Sequence, residues 1–276
     1  MDCESKQTEA SAAGGLSAPK LILNSYNGAN ISGEAFVADH IFSYIISGRQ
    51  DIWLSDELHT FKEGDFRFFR RNQLSKYVKA PGSEGFKSIA VHIDQFTLKQ
   101  MASDYSLQAS QHPVEGGPIL LRPDHLLNAY IESVKPYLQE MEVHPRIVAL
   151  KARELVLLMI ANNPALVDVL FDSSEPGKID LEAFMNSHYR YNVDVDRFAF
   201  LTGRSLSGFK RDFEKLYKIS PGRWLVQRRL QEAHFLIEVQ GRKSGEIYQD
   251  LGFENLSHFS FAYKKEFGYA PTRGMQ

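Results

Sequence analysis

Lys210 and Arg211 lie between two phenylalanines four residues apart, in the run Ser205-Leu-Ser-Gly-Phe-Lys-Arg-Asp-Phe213. That spacing puts Phe209 and Phe213 on one face of a helix, so Leu206, Ser207, Gly208, Lys210 and Arg211 project from the other. A guanidinium presented in this way can hydrogen-bond O6 and N7 of one guanine together, and hydroxyls and ammonium groups can bond phosphates or base edges. The pattern returns at an offset of 50 residues: in Asn255-Leu-Ser-His-Phe-Ser-Phe-Ala-Tyr263, Phe259 and Tyr263 take the anchor positions and Asn255 takes that of Ser205. Leu256, Ser257, His258 and Ser260 are the corresponding outward residues, and Leu256 suits contact with a thymine methyl.

Each anchored helix needs a partner to hold it. A short helical stretch around Phe198-Ala199 and another around Ile247-Tyr248 precede them, and Gly203 and Gly252-Phe253 supply the turns. Ser205 and Asn255 then cap the second helix of each pair. Between the pairs, Trp224 to Ile237 reads as one long helix whose apolar stripe of Leu225, Leu230, Ala233, Leu236 and Ile237 fixes their relative orientation. Two helix-turn-helix units held in this way are built to meet successive major grooves, or to bend the DNA where the spacing falls short.

A net charge of −2 over 276 residues argues against a nucleic-acid binder until its distribution is considered. Residues 178–276 hold 16 Lys and Arg against 12 Asp and Glu, a net of +4, whereas residues 1–177 hold 16 against 22, a net of −6. A basic module joined to an acidic one fits a DNA reader with a separate regulatory part. The 43% hydrophobic and 24% charged composition is that of a globular protein, and no apolar run is long enough for a membrane span. No secretory signal pattern is present, so the cytoplasm is the expected location. The single cysteine, Cys3, excludes an intrachain disulfide and a thiolate metal cluster.

Upstream, residues 1–19 read as a flexible polar tail. From Leu21 to Leu121, short β-favouring runs alternate with turns: Lys20–Leu23, Ala35–Val37, Ile41–Ile46, Asp51–Leu54, Phe66–Phe69, Lys76–Lys79 and Phe86–Ile93. Breaks at Asn27-Gly28, Ser47-Gly48, Glu63-Gly64-Asp65 and Pro81-Gly82 separate them, which predicts a β-sandwich or small barrel. Beyond Pro123 the period becomes helical, with Leu126, Leu127, Tyr130, Ile131, Val134 and Leu138, then Ile147, Leu150, Leu155, Leu158, Met159 and Ala161. Pro145 marks a helix start and Asn162-Asn163-Pro164 its end. The resulting domains are 20–171, a linker at 172–177, and 178–276. The hairpin of residues 124–162 packs on the sheet or on a second copy, and its apolar stripe predicts a homodimer.

Residues from about Ile179 to Pro271 resemble the DNA-binding domain of the AraC/XylS family of bacterial transcription regulators. The match is carried by Ala199, Ser205, Phe209-Lys-Arg-Asp-Phe213, Lys218-Ile-Ser-Pro221, Trp224-Leu225, Arg229-Leu230-Gln-Glu-Ala233, Gly252-Phe253, Ser257-His-Phe259 and Lys264-Lys-Glu-Phe-Gly268-Tyr-Ala-Pro271. The resemblance implies double-stranded promoter DNA and RNA polymerase as partners, an activating role, and base contact from the positions of Ser207, Lys210 and Arg211. In the competing reading, Lys210 and Arg211 pair only with phosphates or with Asp212 and Glu214. The second unit departs from the family: Phe261 stands where a polar or basic reader is common, Tyr248 replaces a small alanine, and Ser244 replaces an apolar residue. In one reading Phe261 covers the enlarged Tyr248 side and this unit is mainly a backbone clamp; in the other the unit is a reader. The chain end, from Thr272, also lacks the Tyr-Arg that often closes the domain.

The first half resembles the family's cupin-like regulatory domain only loosely, which implies an α+β two-domain chain controlled by a small-molecule or a protein effector. Phe42, Tyr44, Trp53, Phe66, Phe68 and Phe69 are the candidate pocket residues. A closed aromatic cavity would favour a ligand sensor, and a solid core would favour control by a protein. An alternative of another class is a cupin-like enzyme fused to a DNA-binding tail. It would require a convergent histidine set, but His40, His59 and His92 are spread singly, with no His-x-His. No cofactor, catalytic residue or metal ligand is assigned.

Overall fold

The computed structural model describes residues 18–54, 57–111, 116–140 and 143–271. The polar tail, apart from its last two residues, and the segment after Pro271 lie outside them. The chain divides into two compact units between Ser174 and Glu175.

The first unit contains two open antiparallel sheets rather than a closed barrel. One has the order β1 (Lys20–Tyr26), β8 (Phe86–Ile93), β3 (His40–Ser47), β6 (Phe66–Phe69), β9 (Ile119–Leu121); the other runs β2 (Ile31–Val37), β7 (Gln73–Ala80), β4 (Arg49–Leu54), β5 (Glu57–Lys62). Sequence patterning missed β5, β9 and the helix α1 (Gln95–Tyr105). In α1 only Thr97, Leu98 and Met101 are buried, too sparse a stripe to read; its cap is Asp94, whose carboxylate accepts hydrogen bonds from the Thr97 amide at 3.0 Å and hydroxyl at 2.6 Å.

Strand alternation gives the five-stranded sheet two unlike faces. Phe42, Tyr44, Phe66, Phe68, Ile89, Val91 and Ile93 face the apolar core shared with α2 (His125–Val134), α3 (Pro145–Asn162) and α4 (Leu166–Leu170). On the opposite face, Ile41, Ile45 and Phe69 meet Val37, Ile52 and Phe61 of the four-stranded sheet. Between these apolar residues the facing positions are polar or small: Ser43 pairs with Arg67 on one side and Ala90 on the other, and Gln50 pairs with Lys79.

Pro145 opens α3 at its first position, where its missing N–H costs no helical bond, and the helix ends at Asn162. Leu155 is fully buried and Leu158 is packed against the core, so neither belongs to an outward seam; Ile147, Leu150 and Leu157 are exposed. After α4, Arg71 donates to the carbonyls of Asp172 (3.2 Å) and Ser174 (2.6 Å), holding the end of the first unit against its own sheet.

The second unit is helical: α5 (Leu181–His188), α6 (Val195–Leu201), α7 (Leu206–Tyr217), α8 (Pro221–Glu238), α9 (Ser244–Ile247) and α10 (Leu256–Phe267). The first turn of α8 serves the first pair of helices through Trp224, which lies edge-on to Phe213 at 5.6 Å. Its later turns serve the second through Leu230, Ala233 and Ile237, packed with Ile247, Leu251, Phe253, Phe259 and Tyr263. Arg229, buried in the middle of α8, donates Nε to Tyr189 O (2.7 Å), Nη2 to Tyr191 O (2.8 Å) and Nη1 to Gly252 O (2.8 Å). One side chain thereby ties the segment entering the first helix-turn-helix to the turn of the second. Gly252 has φ +81°, and a Cβ there would stand 2.4 Å from Arg190 O, so no other residue fits without a shift.

Two outcomes are expected. Arg229→Met leaves three buried carbonyls without their donor and should destabilise the second unit by roughly 3 kcal/mol, read from urea unfolding; a loss within error of zero would show that the staple is dispensable. His40 and His92 are both held well below the usual histidine range, to about 3 and about 4, first by burial and then by nearby cations. Both are neutral when folded, so their contribution is intact above the unfolded pKa near 6.5 and is lost as pH falls towards 4. His92→Gln should flatten the fall in stability between pH 6.5 and 4 in denaturant titrations.

Candidate nucleic-acid interface

The side chain of Ser205 accepts from the Gly208 amide at 3.2 Å and starts α7. Phe209 and Phe213 are wholly buried, 5.5 Å apart between ring centres. Leu206, Ser207, Lys210 and Arg211 are consequently all exposed, and Gly208 is partly so.

Asp212, one of the acids that could pair with Arg211, is engaged chiefly by other cations. Oδ2 of Asp212 is engaged by Arg204 Nε at 3.2 Å and by Lys178 Nζ at 3.5 Å, and these bonds, Arg204 first, hold its carboxyl below the usual range. Arg211 Nε stands 3.8 Å from Oδ1, a long contact for a guanidinium that is 80% exposed. Arg204 also donates to the carbonyls of Thr202 and Ile179 and is nearly buried, so it shapes the turn rather than facing out. Arg211 thus keeps most of its donors available to solvent, in a contact of little energetic weight.

In α10 the side chain of Asn255 accepts from the His258 amide at 2.8 Å, and Phe259 and Tyr263 are wholly buried. Leu256, Ser257 and His258 are exposed and Ser260 is half-buried. The His258 ring also lies edge-on to Phe253 at 5.8 Å, which limits its reach. Phe261 is 70% exposed and does not cover Tyr248, which packs into the core of the second unit on its own. The alternative in which Phe261 covers Tyr248 does not hold: two residues beyond the buried Phe259, Phe261 is turned outward and joins the exposed surface of α10 as an apolar group. Arg229 shows no role in the sequence, because three backbone acceptors brought together by folding leave no local trace.

The six aromatic pocket candidates do not line one cavity. Phe42, Tyr44, Phe66 and Phe68 face the helices, Phe69 faces the second sheet, and Trp53 is on the opposite face of β4 from the inward Ile52. The histidines do not converge either. His40 pairs with Ile93 and His92 with Ile41 in the β3–β8 register, which sends the two rings to opposite faces of the sheet. His40 stacks on Phe68 at 5.3 Å, and its Nδ1 accepts from the Arg71 amide at 3.3 Å; His59 Nε2 lies 3.7 Å from Glu57. Among the described residues no group of three His, Cys, Asp or Glu could hold a metal, and no helix is long and apolar enough to cross a membrane.

Two family models match the chain: the ExsA N-terminal regulatory domain over residues 40–169 and a helix-turn-helix domain over residues 198–275. The HTH-type transcriptional regulator ExsA of Pseudomonas aeruginosa is 32% identical over 144 residues, covering 50% of this chain and 52% of that protein. The virulence regulon transcriptional activator VirF of Yersinia enterocolitica is 25% identical over 245 residues, 83% of this chain and 87% of that protein. The thermoregulatory protein LcrF of Yersinia pestis matches over the same shares at 25% identity. The two named for their activity are transcription regulators and not enzymes, as is the HTH-type activator RhaS of Escherichia coli, 23% identical over 54% of this chain and 55% of that protein. With tandem helix-turn-helix units on capped, aromatic-anchored helices and matches to transcription regulators in both halves, the chain is similar over most of its length to regulators of the AraC/XylS type.

Proposed function

We propose that the chain activates transcription by reading promoter DNA through α7 and α10, with RNA polymerase as the partner it recruits. Supporting this is the surface of α7, where Leu206, Ser207, Lys210 and Arg211 are outward while both aromatic anchors are sealed. Arg211 supplies the bidentate guanine contact, and Ser207 and Lys210 flank it on base edges or phosphate. In α10, Leu256, Ser257, His258 and Ser260 face the second groove, and the exposed Phe261 adds an apolar surface for thymine methyls, which makes this unit a reader rather than only a clamp. The activating role is taken over from VirF, which is named a transcriptional activator. The domain assignment is residues 20–171 for regulation, 172–177 as linker and 178–276 for DNA binding.

Arg211→Ala should weaken binding to the cognate operator by about 1–3 kcal/mol and relax discrimination at one base pair. Competition against single-base operator variants reads this directly. A loss that is equal for all variants would reduce Arg211 to a phosphate contact.

The regulatory domain also carries a self-association surface. Ile147, Leu150 and Leu157 are 36%, 65% and 40% exposed and fall on one side of α3. A homodimer through this stripe is the second element of the proposal. Ile147→Lys with Leu150→Lys should give a folded monomer in sedimentation with unchanged circular dichroism. An unmodified chain that stays monomeric at high concentration, with and without DNA, would rule the dimer out.

A further inference from the structure

At the offset of 50 residues, α7 and α10 repeat each other's burial almost position by position. Phe209 and Phe213 of one helix, and Phe259 and Tyr263 of the other, are wholly buried, and each helix opens on a side chain, Ser205 or Asn255, that accepts from the amide three residues on. Ser207 corresponds to Ser257, Lys210 to Ser260, Arg211 to Phe261, and Glu214 and Lys215 to Lys264 and Lys265. Phe261 therefore stands where the first unit presents its guanidinium, and both side chains are mostly exposed.

One exposed phenylalanine says little by itself; its place on the helix says more. Phe261 comes two residues after one buried anchor and two before the next, which turns it to the side of α10 directly opposite the buried face. Ser257 and His258 lie one turn before it and Lys264 and Lys265 one turn after, all exposed. A ring in this position offers no hydrogen bond to a base edge. The sequence-dependent feature it can contact is the C5 methyl of thymine, which no other base carries into the major groove. In α10 the cations come one turn later than Lys210 and Arg211 do in α7, so charge is available for phosphates while the centre of the outward face is apolar.

We propose that Phe261 is the specificity-determining residue of the second unit and selects a 5-methyl pyrimidine, so that one chain reads unlike bases with its two units, guanine under α7 and thymine under α10. The inference rests on the reading of α7 and α10 as recognition helices and adds the base class that each selects. Its consequence is a polar site: a chain whose two units demand different bases lies on the duplex in one orientation only.

The test uses the full chain and a duplex that it selects from a library of random sequence. In that duplex each thymine is replaced in turn by deoxyuridine, which removes the methyl and leaves every hydrogen-bonding group in place. At one or more thymines about 10 base pairs from the guanine read by Arg211, the replacement should weaken binding about fourfold, the worth of one buried methyl. Phe261→Ala changes an exposed position, should keep the circular dichroism of the folded chain, and should bind the thymine and deoxyuridine duplexes equally. Phe261→Arg should select guanine in place of thymine at that position. Deoxyuridine tolerated at every thymine overturns the inference, as does a penalty that persists in Phe261→Ala. If guanine still depends on Arg211 in that case, the reading of α7 stands; a chain that selects no sequence overturns the reading and the inference together. Altered sedimentation of Phe261→Ala with unaltered base preference would make Phe261 a self-association contact and overturns the inference as well.

Discussion

The three hydrogen bonds of Arg229 are the constraint on which the DNA-binding unit depends. α8 is a single continuous helix, so helix-turn-helix units packed on its two ends hold a fixed separation as long as each grips it firmly. Trp224 and the Leu230–Ala233–Ile237 stripe provide the grip by burial, which is strong and nondirectional. Direction comes from Arg229: a planar guanidinium with its donors in a fixed fork matches the carbonyls of Tyr189, Tyr191 and Gly252 in one arrangement only. A lysine could satisfy the charge but not the fork. The same contact explains why position 252 must be glycine, since a Cβ would lie 2.9 Å from the Arg229 guanidinium carbon as well as against Arg190 O.

The first unit divides its energetics between the two faces of one sheet. On the helix side, large apolar residues interdigitate with α2 and α3, and this is where burial stabilises the fold. On the other side only a small apolar cluster joins the sheets, interrupted by Ser43, Ser88, Gln50 and Arg67. A sheet pair joined through polar positions gains less from closing than a fully apolar sandwich. The aromatic candidates do not enclose one cavity, and this interior mixes apolar with hydrogen-bonded polar packing.

What could be read from the sequence was local. Phe209, Phe213, Phe259 and Tyr263 announce their helices because period four needs no knowledge of the rest of the chain, and Ser205 and Asn255 cap within three residues. Phe66–Phe69 and Phe86–Ile93 were legible as strands with the bounds observed, since the apolar run ends at a turn on each side. β5 was not: Glu57–Lys62 mixes charge and apolar groups, and only pairing with β4 turns His59 and Phe61 inward. Which leucines of α3 are core and which are exposed, and where Phe261 points, depend on what packs against those helices. Arg67 reads as an ordinary surface arginine until strand register places it between sheets.

Register and pairing also change the meaning of the net charge. The +4 of residues 178–276 includes Arg229 and Arg204, which are spent on backbone carbonyls and Asp212, and Glu232, which is spent on Arg190 and Arg228. What remains exposed on α7 and its cap is Lys210, Arg211, Lys215 and Lys218 against Glu214, and on α10 Lys264 and Lys265 against Glu266. The outward residues of both recognition helices therefore carry more bases than acids, while Asp180, Glu182, Asp194 and Asp196 stay exposed ahead of α7. Attraction to phosphate works through such exposed charges, whose condensed counterions are released on contact, so distribution rather than the formal total sets affinity. A chain of net charge −2 can therefore present a basic edge to DNA without being a basic protein.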